Sequence, residues 1–69
     1  MKLVDSFEYK GRKVSLYEVP PEEREIDKHG NYHQYRAFIN EEDVTNMVLH
    51  SGELPKWGHY AKELIDNTA

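Results

Sequence analysis

No cysteine occurs among the 69 residues, which excludes disulfides, Cys-ligated zinc sites and thiol catalysis together. The four glycines stand singly, so there is no glycine-rich loop to cradle a phosphate and no strained elbow to present a nucleophile. Long apolar runs are missing as well. The opening "MKLVDSFEYK" carries an acid at Asp5 and is expected to be neither a signal peptide nor an anchor, which points to a soluble, cytoplasmic protein. Positive charge is in short supply: 9 Lys and Arg against 13 Asp and Glu leave a formal charge of −4. Broad binding to a phosphate backbone needs concentrated cations, so nucleic acid is not the first expectation. No internal repeat, low-complexity tract, linker or heptad pattern is present.

A chain of this length has room for one small α+β domain covering residues 1–69, because domains rarely fall below about 50 residues. A core this size supplies only about 3 to 5 kcal/mol. Without disulfides the available staples are association or tight packing of the aromatic side chains, five Tyr, two Phe and one Trp.

The clearest local signal is "FEYKGRKVSLYEV", residues 7–19, where Lys10-Gly11 can form a two-residue hairpin loop between strand-like runs. Placing Tyr9 opposite Arg12 pairs Glu8 with Lys13, Phe7 with Val14, Ser6 with Ser15, Asp5 with Leu16 and Val4 with Tyr17. Opposite charges then meet on one face and apolar side chains on the other. This register predicts a core face of Leu3, Phe7, Tyr9, Val14 and Leu16, with Val4, Tyr17 and Val19 on the reverse. Pro20-Pro21 ends the second strand by removing backbone donors.

A polar connection follows, with Ile26 as its one aliphatic residue and "DKHGN" as a closing turn. "YHQYRAFIN", residues 32–40, then predicts a third strand, with His33, Tyr35, Ala37 and Ile39 on one side and Gln34, Arg36 and Phe38 on the other. Residues 41–50 fit a short helix or a strand. A helix would have Asn40 as its cap, Glu41, Glu42 and Asp43 in its first turn and Gly52 past its end. Neither period places Val44, Met47, Val48 and Leu49 together, and a short helix or helical turn is the preferred reading. In "LPKWGHYAKELIDNTA", residues 54–69, the spacing of Trp57, Tyr60, Ala61, Leu64 and Ile65 predicts a helix with one apolar stripe. The expected architecture is a small antiparallel sheet, an N-terminal hairpin plus a third strand, packed against this C-terminal helix.

Candidate chemistry is sparse. His29 and His33 are four apart, yet the intervening Gly30-Asn31 makes a turn, and zinc asks for about four convergent ligands. His50 and His59 lie elsewhere, and no metal site, cofactor or catalytic set is expected. "YRAFIN" has the residue types of the base-stacking strand of RNA-recognition domains, but that fold requires a βαββαβ order and basic surroundings that this chain lacks. The acidic runs "EEREID" and "EED" read as solvated segments. What remains is the sheet face turned from the helix, where Val4, Tyr17, Val19, Arg36 and Phe38 are expected to form an apolar patch with a polar rim. The expected function is non-enzymatic binding of a partner protein through that patch, with self-association as a homodimer the nearest variant. The alternative is a nucleic-acid-associated regulator using Arg12, Lys13 and Arg36. Small size and lack of cysteine suit a prokaryotic or phage protein.

Overall fold

The structure is a computed structural model that describes residues 1–26, 30, 32–49 and 54–68. Strands β1 (Lys2–Tyr9), β2 (Arg12–Glu18), β3 (Tyr35–Ile39) and β4 (Glu42–Asp43) form an antiparallel sheet in the order β1-β2-β3-β4. A short helix α1 (Thr45–Val48) and the longer α2 (Trp57–Thr68) follow. The expected α+β architecture is thus present, and the strand left open for residues 41–50 is realised as the two-residue β4.

Turn chemistry accounts for both tight hairpins. Lys10 and Gly11 have φ of 51° and 76°, and Asn40 and Glu41 have φ of 49° and 71°. Positive φ at both central residues is the type I′ pattern, whose twist matches that of the flanking strands. Gly11 adopts it without a Cβ penalty. Asn40 holds its place through β2, because its N–H donates to the Lys13 carbonyl and its Oδ1 accepts the Lys13 N–H, each at 2.9 Å. Asn40 is therefore a turn residue clamped to the sheet and not a helix cap, and Glu41 and Glu42 do not enter a helical first turn.

Pairing of β1 with β2 follows the expected register from Tyr9 opposite Arg12 down to Asp5 opposite Leu16. It then breaks. An irregularity between Leu3 and Asp5 leaves Val4 as an extra residue and sets Leu3 opposite Tyr17. Leu3 consequently shares the face of Tyr17 and is 51% exposed, where unbroken alternation would have made it core. The expected pair of Val4 with Tyr17 is absent for the same reason, since a bulge shifts every residue beyond it by one.

One face of the sheet carries Val14, Leu16, Ala37 and Ile39, which join Val44, Val48, Trp57, Ala61 and Ile65 in a single buried core. Phe7, Tyr9, Tyr35, Leu49, Leu54, Tyr60 and Leu64 pack around it. The stripe predicted for α2 is the stripe that docks, and the Trp57 ring meets Phe7 at 5.5 Å between centroids. A latch between the hairpin and the end of α2 closes this layer. Tyr9 Oη donates to both Asp66 carboxylate oxygens at 3.1 Å, Lys10 Nζ pairs with the same carboxylate, and Arg12 Nη1 donates to Thr68 Oγ1 at 3.3 Å. The hydrogen bond from Lys10, aided by Tyr9 and opposed by some desolvation, holds the Asp66 carboxyl below its ordinary value. The same hydrogen bond raises Lys10.

Both readings of residues 41–50 are realised in succession. Glu42 and Asp43 pair with Ile39 and Phe38 as β4, and the chain then turns into α1. The N-cap position of α1 falls on Val44, which has no side-chain cap, and Asp43 just before it ties down the start of the helix: its Oδ1 accepts the Thr45 N–H at 2.9 Å and also the Thr45 hydroxyl proton. Thr45 Oγ1 in turn accepts the Ala37 N–H at 3.0 Å, and Val44 N–H donates to the Ala37 carbonyl at 2.9 Å. Two non-strand residues thereby complete the β3 edge where β4 stops. Val44 and Val48 are buried by this route on the helix side of the sheet.

The third strand is shorter at its start than the expected 32–40. The last rung beyond the paired strand residues is Val19 N–H to the Gln34 carbonyl at 2.9 Å, and Pro20-Pro21 ends β2 there. Residues earlier than Gln34 have no β2 left to pair with. Tyr32 instead makes an isolated bridge with Ile26. His29, Asn31, His50 and Gly52, to which the turn, metal-spacing and helix-end readings refer, lie outside the described residues.

Candidate functional site

Strand alternation sends Lys13, Ser15, Tyr17, Arg36 and Phe38 to the face opposite the core, since each lies one residue from a core position. Both helices are on the other side, with α1 and α2 packed on each other and α1 on β3. Among the described residues no helix lies over this second face. A shallow groove of about 640 Å³ runs across it, lined by Met1, Lys13, Ser15, Tyr17, Phe38, Asn40 and Glu41. At its centre Tyr17 and Phe38 meet edge to face, with centroids 5.7 Å apart and planes at 81°. Such a pair contributes about 0.5 to 1.5 kcal/mol beyond the area it buries, and both rings are half-buried. Leu3 extends the apolar surface opposite Tyr17, and Val4 and Met1 are 50% and 60% exposed.

Arg36 stands at the rim and is held twice. Its Nη1 donates to Asp43 Oδ2 at 2.8 Å, and its Nη2 lies 3.4 Å from Glu25 Oε2. Burial pulls the Asp43 carboxyl upward, but the Thr45 hydroxyl and N–H and the Arg36 guanidinium outweigh it, so Asp43 titrates below the ordinary carboxylate value of 3.8. Lys13 faces Glu8 across the β1–β2 ladder and shares the groove wall with Glu41.

Of the residues expected to form the patch, Tyr17, Arg36 and Phe38 converge on the open face. Val4 is exposed at the bulge, out of its expected pairing. Val19 leaves the patch: it is 4% exposed, lies past the end of β2, and its carbonyl accepts Arg24 Nε at 3.0 Å where the chain reverses through the 3-10 turn Pro21–Glu23. The Val19 N–H still makes the last rung to the Gln34 carbonyl, and the residue is buried apart from the shared core. Missed by the sequence reading were Leu3, which only the bulge turns outward, and Asn40 and Glu41, which only the second hairpin brings alongside Phe38. Asn40-Glu41 between "FI" and "ED" is a weak hairpin signal, and the same Asn followed by three acids also fits a helix cap and first turn.

Arg12, Lys13 and Arg36, the alternative cationic set, do not come together. Arg12 points to the helix side and reaches Thr68, Lys13 is on the open face, and Arg36 is taken up by two carboxylates. His33 and His59 lie in separate elements, the latter 3.2 Å from Glu63 one helical turn on. Among the described residues no group of three or more His, Cys, Asp or Glu is placed to hold a metal ion, and no helix is long and apolar enough to cross a membrane. The class of protein that fold and site define is thus a two-layer α+β domain in which, among the described residues, both helices lie on one face of the sheet. No family model, no curated protein and no solved structure matches this chain.

Proposed function

We propose that this chain is a non-enzymatic binding module that docks a partner protein on the open sheet face, with Tyr17 and Phe38 as the central contacts. The observation that carries this reading is that both helices cover the same side, while the other side holds the half-buried rings of Tyr17 and Phe38 along a groove, with an exposed Leu3 opposite Tyr17. An apolar centre with a charged rim is the anatomy of a protein interface, and exposed apolar patches on so small a domain call for a function. Small size and the lack of cysteine are in keeping with a cytoplasmic protein of prokaryotic or phage type.

The test combines Phe38→Asp with Tyr17→Ser. Sedimentation velocity and affinity capture report on association, and circular dichroism reports on folding. The double variant is expected to fold and to lose its captured partner. A folded double variant that keeps both its association state and its partner sinks the reading.

A further inference from the structure

We infer that the occupant of the open face is a cationic, apolar polypeptide segment of another protein: two or three apolar side chains seated along Leu3, Tyr17 and Phe38, flanked by Lys or Arg that reach Glu8, Glu25 and Glu41. The inference rests on the binding-module reading and adds the chemistry of the partner.

Charge is the first argument. Two cations stand on this face, and each is outnumbered. Arg36 is shared by Asp43 and Glu25. Lys13 stands between Glu8 across the ladder and Glu41 in the groove wall. Four carboxylates against two cations leave the side chains of the face at −2, half of the formal −4 of the whole chain. Even with the α-ammonium group of Met1 beside the groove the face is net negative, so a second copy related by a two-fold axis sets like charge against like, which opposes association. Nucleic acid and anionic lipid meet the same repulsion. A cationic segment instead gains from the surplus carboxylates, which also steer its approach at low salt.

Area is the second argument. With strands about 4.8 Å apart, about 3.4 Å of rise per residue and the eight residues of β1, the longest strand, the face measures at most roughly 19 by 27 Å, or about 520 Å² in projection. A standard globular interface takes about 800 Å² from each partner. The open face therefore matches a single segment better than a folded domain or a second copy.

The probe is a displayed library of random dodecapeptides, panned on the intact chain with counter-selection on Phe38→Asp and, as a second folded control, Tyr17→Ser. Recovered peptides are expected to join apolar residues with net positive charge. Their affinity is expected to fall about tenfold in the Glu8→Lys, Glu41→Lys variant, the scale of a rim-charge reversal, and to weaken with added salt. Peptides that depend on Phe38 but are neutral or acidic, and are indifferent to the charge reversal, overturn the inference and leave the binding-module reading standing. A library that never distinguishes the wild type from either control overturns both. A concentration-dependent dimer that Phe38→Asp dissolves, or Phe38-dependent binding of oligouridine or of phosphatidylserine vesicles, also overturns it, by placing a different occupant on the face.

Discussion

Leu16 and Tyr17 are neighbours in β2 whose truncation is expected to have different consequences. Leu16 is 2% exposed inside the core of Val14, Ala37, Ile39 and Ile65. Cutting a buried Leu to Ala costs about 2 to 5 kcal/mol, against a core-derived stability of about 3 to 5 kcal/mol in a domain of this size. Leu16→Ala should be largely unfolded at 25 °C. Tyr17 is half buried, and its main packing partner on the open face is Phe38. Its truncation removes the edge-to-face term of about 0.5 to 1.5 kcal/mol and part of an aromatic burial, about 1 to 2 kcal/mol in all. At about 4 to 8 °C per kcal/mol for a domain of this size, Tyr17→Ala should lower Tm by roughly 5 to 15 °C and still unfold cooperatively. Phe38→Ala should behave alike, and the double variant should cost less than the sum of the singles, because both singles break the same ring pair. Urea titration followed by far-ultraviolet circular dichroism and Trp57 fluorescence reads all four proteins. If Tyr17→Ala or Phe38→Ala costs as much as Leu16→Ala, the face is closed in solution. The assignment of a binding surface to it then fails.

Further expectations concern the other side of the sheet and its turns. Trp57 is 7% exposed against Phe7, so Trp57→Ala should lose about 3 to 5 kcal/mol and be unfolded or nearly so, and a cooperative thermal transition within a few degrees of wild type contradicts its anchoring role. Glu41 holds a φ of 71° in the second hairpin, a conformation that costs a residue with a Cβ about 1 kcal/mol or more, so Glu41→Gly should raise Tm by several degrees in a thermal melt, and no gain means that the strain is offset elsewhere. Because the folded Asp43 carboxyl titrates below its ordinary value, the stability it contributes is present above about pH 4 and is lost as pH falls through the folded value. Urea midpoints measured from pH 6 down to pH 2 should therefore drop less steeply in Asp43→Asn than in wild type, and parallel curves contradict the Thr45 and Arg36 assignments. The exposed Asp66 latch carries the same sign, and salt should weaken it more than it weakens Asp43.

Local chemistry determined much of this fold before any tertiary contact is considered. Lys10-Gly11 fixes a two-residue turn, the turn fixes which residues face one another from Tyr9 to Leu16, and alternation then divides Val14 and Leu16 from Lys13, Ser15 and Tyr17. The 3.6-residue stripe of α2 likewise names Trp57, Ala61 and Ile65 as the docking side. In the same way Tyr17, Arg36 and Phe38 were legible as members of one face.

The remaining site residues depended on choices that periodicity does not encode. A bulge at Val4 is an insertion into the pairing, and whether the chain takes it depends on how β1 and β2 fit together, so the outward turn of Leu3 is invisible to a rule that assumes unbroken alternation. Val19 is buried where the chain turns through Pro21–Glu23 and Arg24 Nε donates to its carbonyl, a local arrangement that alternation does not state. The split of residues 42–48 into β4 and α1 is decided by Ala37, whose N–H and carbonyl are completed by Thr45 and Val44 across eight and seven residues of chain. Most of all, the sequence leaves open which sheet face "VTNMVLH" covers. Only the tertiary structure, by burying Val44 and Val48 beside α2, decided that this segment does not cover Tyr17 and Phe38, because a short apolar segment goes where a complementary core already exists and no sequence period states where that is.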